Sequence, residues 1–243
     1  MTHGYRPVDD QTARRLNDIN RRFYATIADD FHATRGQAWR GWERLLPHLH
    51  APLSVLDVGC GNGRFGVFLA EHDLTPLSYH GIDNSPALLD HARLQLAAQP
   101  QVTTRLDAAD VIDEPLPDAQ YDLVTLFGVM HHIPGAARRL HLMLRLAACV
   151  KPGGLLAFAC WRFYEYPRFR ERIVAWDADI VVEANDYLLD WRRGAHVLRY
   201  CHYVDDAEHA ALVAASGLHE IETWRADGET NTVNRYSLLR QEA

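Results

Sequence analysis

The sequence predicts an α/β fold, a doubly wound parallel sheet of seven strands closed by a C-terminal antiparallel hairpin. Three observations carry this reading. A short apolar run, Leu53 to Val58, passes straight into a glycine-rich loop and then into a helix-forming segment from Arg64. Strand-length apolar runs and segments of helical period then alternate as far as Trp161, the pattern of a parallel sheet covered by helices. After an aperiodic stretch, one more helix and two further strand-like runs follow, enough for a closing hairpin.

Each element has its own signal. Leu16, Ile19, Phe23 and Ile27 recur at helical spacing, with Tyr24 and Phe31 widening the stripe, so a first helix is expected from about Gln11 to Asp30. A second, near Gln37 to Leu46, is expected to end before Pro47. Strand one is Ser54 to Val58, and its helix runs from about Arg64 to Glu71. Strand two, Tyr79 to Asp83, ends in an acid, and Asn84-Ser85-Pro86 opens a helix with a capping serine and a proline at the first helical position. Strand three is Val102 to Leu106, ending at Asp107-Ala108. Strand four, Tyr121 to Phe127, is nearly unbroken in apolar residues around Asp122, as a central parallel strand should be. Leu140, Met143, Ala147 and Val150 mark a helix that stops at Lys151-Pro152-Gly153-Gly154, and strand five is Leu155 to Trp161. Residues 162–203 are aromatic and arginine-rich without a clear period and read as a lid or insertion. Asp205 to Ser216 is helical, and Gly217 leads into the final pair, His219 to Arg225 and Val233 to Leu239. Residues 1–243 thus read as a single domain, with 1–50 as an N-terminal helical cap.

Composition narrows the class. With 48% hydrophobic and 23% charged residues the chain is an ordinary globular sequence, and no apolar stretch is long enough to span a bilayer. The N-terminus lacks an apolar signal region, which points to the cytoplasm. Cys60, Cys149, Cys160 and Cys201 occur singly, so reduced thiols are expected and no metal site is. The formal net charge of −7 leaves no global basic footprint of the kind a nucleic-acid partner usually imposes.

The glycine loop bears on the cofactor. Gly61-Asn62-Gly63-Arg64-Phe65-Gly66 satisfies a dinucleotide fingerprint, and Asp83 follows at about the distance of a ribose-binding acid. Asp57, however, sits inside the turn, where its charge repels a pyrophosphate and attracts an ammonium group. No lysine or serine follows the last glycine, which excludes a triphosphate-binding loop. The run Asp57-Val58-Gly59-Cys60-Gly61-Asn62-Gly63 resembles motif I of the class I methyltransferases that use S-adenosylmethionine (SAM), a cofactor with an α-amino group and no phosphates. Leu116-Pro117-Asp118 before Tyr121-Asp122-Leu123-Val124, and the Lys-Pro-Gly-Gly turn, match the later motifs of that family. The resemblance implies a Rossmann-like fold, SAM as cofactor, Asp83 on both ribose hydroxyls and Asp107 facing the adenine amino group. It further implies cofactor contacts from Asp57, Gly59, Cys60, Gly61, Asn62, Gly63, Asn84, Ala108 and Phe127. In Phe127-Gly128-Val129-Met130-His131-His132-Ile133-Pro134 it places a histidine pair, His131 and His132, at the methyl-transfer pocket. A nicotinamide cofactor is the distant alternative.

A second resemblance concerns the acceptor. Phe23-Tyr24-Ala25-Thr26-Ile27-Ala28, Phe31-His32-Ala33-Thr34-Arg35 and Trp39 resemble the N-terminus of the tRNA wobble-uridine methyltransferases, which esterify 5-carboxymethyluridine. Asp186-Tyr187-Leu188-Leu189-Asp190-Trp191 and Arg199-Tyr200-Cys201-His202-Tyr203 are similar to the same family's C-terminal half. That acceptor is ionised at neutral pH, so the site needs donors that orient a carboxylate in place of a general base. Arg35, Arg162 and Arg199 are candidates, and Trp161 and Trp191 are placed to stack on a splayed base. The resemblance implies tRNA as partner and, as in eukaryotes, a small zinc-binding activator. Two features depart from it: the acidic balance of the chain, and the acids Glu165, Glu171, Asp177, Asp179, Glu183, Asp186 and Asp190 that offset the lid's arginines. The alternatives are a small-molecule O- or N-methyltransferase on the same scaffold and a binding subunit that has lost the chemistry.

Overall fold

The computed structural model describes residues 8–34, 36–177, 179–191 and 196–242. The long helix α1 (Asp10–Thr34) starts with the Thr12 N–H on Asp9 Oδ1 (2.7 Å) and is followed by a 3₁₀ segment, Arg40–His48. Then β1 (Leu53–Val58), α2 (Arg64–Glu71), β2 (Leu77–Asp83), α3 (Pro86–Ala97), β3 (Val102–Ala108), β4 (Tyr121–Phe127), α4 (Ala136–Ala148) and β5 (Val150–Trp161) build the parallel half of the sheet. Next come α5 (Pro167–Arg170), β6 (Ile173–Val174), β7 (Asp186–Trp191) and β8 (Val197–His202), and finally α6 (Asp206–Ser216), β9 (His219–Ala226) and β10 (Asn234–Arg240).

The main sheet has seven strands in the order β3-β2-β1-β4-β5-β10-β9. β1 pairs parallel with both β2 and β4, while β10 runs antiparallel between β5 and β9. Chain order therefore reverses at β1, and the crevice beyond the carboxyl ends of β1 and β4 is where such a sheet leaves room for a ligand. Both faces are apolar because both are covered. Phe65, Phe68, Tyr79, Leu89 and Leu96 fill one layer under α2 and α3, and Leu56, Val58, Leu142, Met143 and Leu146 fill the other under α4. Ser85 caps α3 by accepting the Leu88 N–H (3.4 Å), with Pro86 at the first helical position.

Two sequence expectations need correction. Residues 40–48 are 3₁₀ in place of α-helix and include Pro47, whose fixed φ suits the last turn and whose missing N–H costs one bond. β5 begins at Val150, because Lys151-Pro152-Gly153-Gly154 is taken up into the strand across a register shift between Tyr121 and Leu123. Within residues 162–203, read as a lid or insertion, β6, β7 and β8 form a separate antiparallel sheet. Leu16 on α1 packs in one buried cluster with Tyr200 on β8, so the small sheet is fastened to the first helix. β6 has only two residues, and β7 and β8 lack a strict apolar–polar alternation.

Gly63 caps α2 at a left-handed φ of +77°, and a Cβ there would lie 3.0 Å from the Ala92 Cβ and 3.1 Å from Leu96 Cδ1. Gly63→Ala combines left-handed strain with crowding against α3 and is expected to cost about 2–4 kcal/mol. The melting temperature should fall by roughly 5–10 °C in a calorimetric scan with the circular dichroism spectrum retained.

Candidate active site

A cavity of about 420 Å³ opens at the reversal point, between the carboxyl ends of β1 and β4, α1, and the β7–β8 sheet. Its floor is the glycine turn. The Gly59 and Cys60 N–H groups both donate to the Ile82 carbonyl (2.7 and 3.0 Å), which ties the turn to the end of β2. Asp83 follows and accepts the Gly61 N–H on one oxygen (2.8 Å) and the Ser85 N–H on the other (2.9 Å). Burial, against these two bonds, pushes its carboxyl up to about 6, so it is ionised at neutral pH. Asn62 is buried, and its Oδ1 has no hydrogen-bonding partner, an acceptor aimed at a donor the protein does not itself provide.

Asp57 has a different setting from the one its sequence position suggests. It is buried, with Oδ2 taking the Tyr79 hydroxyl (2.5 Å) and Oδ1 the Thr125 hydroxyl (2.8 Å), and burial raises its pKa. It lines the cavity but is first an anchor between β1, β2 and β4. Cys60 also lines the cavity, and burial together with Asp83 and Asp57 holds its thiol far above the usual range.

Gly59, Gly61, Asn84 and Phe127 line the cavity as the sequence suggests; Gly63, Asp107 and Ala108 do not. Gly63 is spent on the α2–α3 contact. Asp107 lies towards the sheet edge, paired with His80 (2.8 Å) and Arg105 (2.8 Å). The acid that reaches the cavity is Asp110, one turn further on, which accepts from Asn17 (2.7 Å), Arg21 (2.8 Å) and the Ile112 N–H (3.0 Å). Burial works against its charge, but these donors outweigh it and hold the carboxyl below the usual range. The Asp107-Ala108-Ala109-Asp110 spacing offers both acids, and only the loop path tells them apart.

The opposite wall is aromatic and basic. Trp161 sits edge-on to His131 (5.3 Å) and Phe169 (4.8 Å), and the Arg199 guanidinium lies over Trp161 (4.6 Å) and Phe23 (5.1 Å). Trp191 lines the same chamber edge-on to Phe23 (5.6 Å). Arg168 and Arg172, beside α5, add two guanidinium groups that the sequence reading missed, and Asp190 stands on the same side. Arg162 is excluded: it is buried outside the cavity on Glu165 (2.7 Å) and the Val204 carbonyl (2.8 Å). Arg35 lies outside the described residues.

α1 completes the enclosure. The Tyr200 N–H donates to Asn20 Oδ1 (3.0 Å), and the Tyr200 carbonyl lies 3.0 Å from His132 Nδ1, which Asn20 Nδ2 also approaches (3.0 Å). A buried carbonyl needs a donor, which assigns the proton to Nδ1 and leaves Nε2 to accept the Tyr24 hydroxyl (2.9 Å). Burial and the nearby Arg199 push the His132 ring down to about 3, so it is neutral. Tyr24 and Asn20 are functional candidates that the sequence reading missed: Tyr24 stands there only in the helical stripe and the N-terminal resemblance, and Asn20 has no signal of its own.

Among the described residues two side-chain groups have donor types that suit metals, His131-His132-Cys201 and Glu183-Asp186-His202, their ligand atoms within 4.8 Å. Neither set is free for an ion. Both His132 nitrogens are engaged with Arg199 nearby, and Arg139 already occupies the second group.

A glycine turn at the reversal point, an acid closing the next strand and an antiparallel last hairpin together define a SAM-dependent methyltransferase. Residues 56–156 match the family of methyltransferase domains. A putative methyltransferase of Encephalitozoon cuniculi is 31% identical over 182 residues, 74% of this chain and 78% of the other. The chain belongs to the class I SAM-dependent methyltransferases, and SAM is its cofactor. The tRNA (carboxymethyluridine(34)-5-O)-methyltransferase of Mus musculus is 30% identical over 57% of this chain, which spans 19% of that protein's length. The 1,6-didemethyltoxoflavin-N1-methyltransferase of Burkholderia thailandensis shares the fold, with a TM-score of 0.65, 18% identity and coverage of 98% of this chain and 95% of that one. Among the described residues no helix is long and apolar enough to cross a membrane.

Because the His132 ring stays neutral down to about pH 3, its carbon-bound proton resonances should not shift between roughly pH 7.5 and 5, where an unperturbed histidine titrates. Titration with a midpoint near 6.5 would show the ring to be solvated.

Proposed function

We propose that this chain transfers the SAM methyl group to a carboxylate carried on a flat ring, the acceptor being the carboxymethyl group of a tRNA wobble uridine. The observation that carries the reading is the pair Arg172 and Arg199. Both line the chamber, and among the described residues neither guanidinium has a carboxylate partner; Arg199 Nε is buried without a hydrogen-bonding partner. Arg139 and Arg162, by contrast, are each paired with acids. Arginines left unpaired in an aromatic chamber suit an anionic, planar ligand.

Bound SAM supplies an electrophilic methyl on its sulfonium. Asp83 would hold both ribose hydroxyls, and Asn62 Oδ1 would accept from the α-amino group. Asp110, which lines the cavity where Asp107 does not, would be the acid on the adenine side. Arg199 and Arg172 hold the acceptor carboxylate in line, while Trp161, Trp191 and Tyr24 exclude water and flank the ring. A carboxylate has no proton to lose, which matches a chamber whose His132 is too weak a base to take one. Methylation removes the negative charge, so the ester product loses its hold on both arginines and leaves. His131 packs on Trp161 and shapes the methyl-transfer point. The zinc-binding activator is no part of this reading.

The resemblance to the mouse tRNA enzyme favours RNA. The formal net charge of −7 and the likeness to a toxoflavin-precursor enzyme favour a second reading, a small anionic metabolite in the same chamber. Mass spectrometry of tRNA nucleosides from a deletion strain decides between them. Loss of methyl-esterified carboxymethyluridine supports RNA, and an unchanged nucleoside profile passes the assignment to the metabolite.

For the cofactor, Asp83→Ala removes two charge-assisted hydrogen bonds and should weaken SAM binding by at least about tenfold in calorimetry. An unaltered affinity would mean that the ribose is held elsewhere.

A further inference from the structure

Behind the aromatic chamber lies a buried ionic cluster with no part in the chemistry above. Arg139 on α4 is fully buried and donates to Glu183 (2.7 Å), Glu208 (2.6 Å) and the Ile133 carbonyl (3.0 Å). Glu183 also accepts the Ala136 N–H at the start of α4 (2.8 Å). Next to it His202, 1% exposed at the end of β8, has Nδ1 at 2.7 Å from Asp186 Oδ1 and Nε2 at 2.6 Å from Glu208 Oε2. Glu183 lies 3.9 Å from the ring, and the Tyr200 hydroxyl donates to the same Asp186 oxygen (2.8 Å).

Both ring nitrogens of His202 face carboxylate oxygens, which only accept. A neutral imidazole has one N–H and would leave its second nitrogen lone pair against a carboxylate. Charge points the same way: Glu183, Asp186 and Glu208 confront Arg139 alone unless His202 is charged. The cluster joins β7 and β8 to α4 and α6, and Arg199 and Tyr200 stand three and two residues before His202 on the same strand.

We propose that His202 is a positioning residue which, as a doubly hydrogen-bonded imidazolium, fixes the β7–β8 wall of the chamber, so that the wall loosens as pH rises while the cofactor turn does not. That the wall receives the acceptor rests on the function proposed above; its dependence on His202 does not. Burial disfavours the charge, but the bonds to Asp186 and Glu208 outweigh it and raise the ring pKa above its usual value. A raised folded-state pKa gives stability that is complete below the unfolded value, near 6.5, and is lost as pH rises through the folded one.

The test uses the full chain with ¹⁵N-labelled histidine. At neutral pH both His202 ring nitrogens should carry protons in NMR. Towards about pH 9.5, the amides of β7 and β8 should lose roughly tenfold or more in hydrogen-exchange protection relative to β1 and β4, corrected for intrinsic rates. SAM affinity should change less than about twofold. His202→Gln should show the loosened wall already at neutral pH, with SAM binding retained; if that variant fails to fold, the wild-type titration still decides. A singly protonated ring at neutral pH, a wall whose protection ignores pH, or loss of protection across the whole main sheet at once would each overturn the proposal. None of these readouts involves an acceptor, so an unaltered tRNA profile in the deletion strain would refute the acceptor and leave His202 to be judged on its own.

Discussion

The double hydrogen bond from Gly59 and Cys60 to the Ile82 carbonyl is the contact on which the site depends. It locks the glycine turn to the end of β2 and so sets Asp83 beside Gly61. The geometry is available only because β1 pairs with β2 on one side and β4 on the other, with Asp57 spanning them through Tyr79 and Thr125. Val58 and Ile82 are buried on both sides of this junction, so the turn has little freedom to shift. Gly59 adds a steric condition: a Cβ there would lie 2.1 Å from Val129, in the segment that leads to the histidine pair. Cofactor floor and transfer point are thus built on one close approach.

How much of this was legible depends on distance along the chain. β1, β4, α2 and the cap of α3 follow from local pattern because each is fixed by residues within a few positions. Asp83 is legible for the same reason. Asp110 is not, since a strand end announces its first acid, while the loop's path selects the second. Arg162 and Arg199 look equivalent in sequence; one is buried on Glu165 and Val204, the other lies between two rings. Pairings over such separations are set by the tertiary fold, and composition does not encode them. The β6–β8 sheet escaped detection because β6 has two residues and β7 and β8 carry no strict apolar–polar alternation, while backbone groups of Tyr200 find partners far along the chain, Asn20 on α1 and His132 after β4.

The two halves of the cavity differ in charge. The wall of the glycine turn gathers Asp57, Asp83 and Asp110, while the aromatic wall gathers Arg168, Arg172 and Arg199 against Asp190. The His132 ring, which lines the same cavity, stays uncharged. α1 joins the halves, contacting Asp110 through Asn17 and Arg21 and His132 through Tyr24. The first helix is therefore part of the reaction chamber as much as its cover.

Cys60 gives the acidic half another consequence. A thiolate is the strongest sulfur nucleophile a protein has, and this cysteine lines the cavity of an enzyme whose cofactor alkylates nucleophiles. Burial and the charges of Asp83 and Asp57 keep it a thiol. Burial first, and the two carboxylates after it, thereby keep the floor of the cavity inert towards the alkylating cofactor that the enzyme carries.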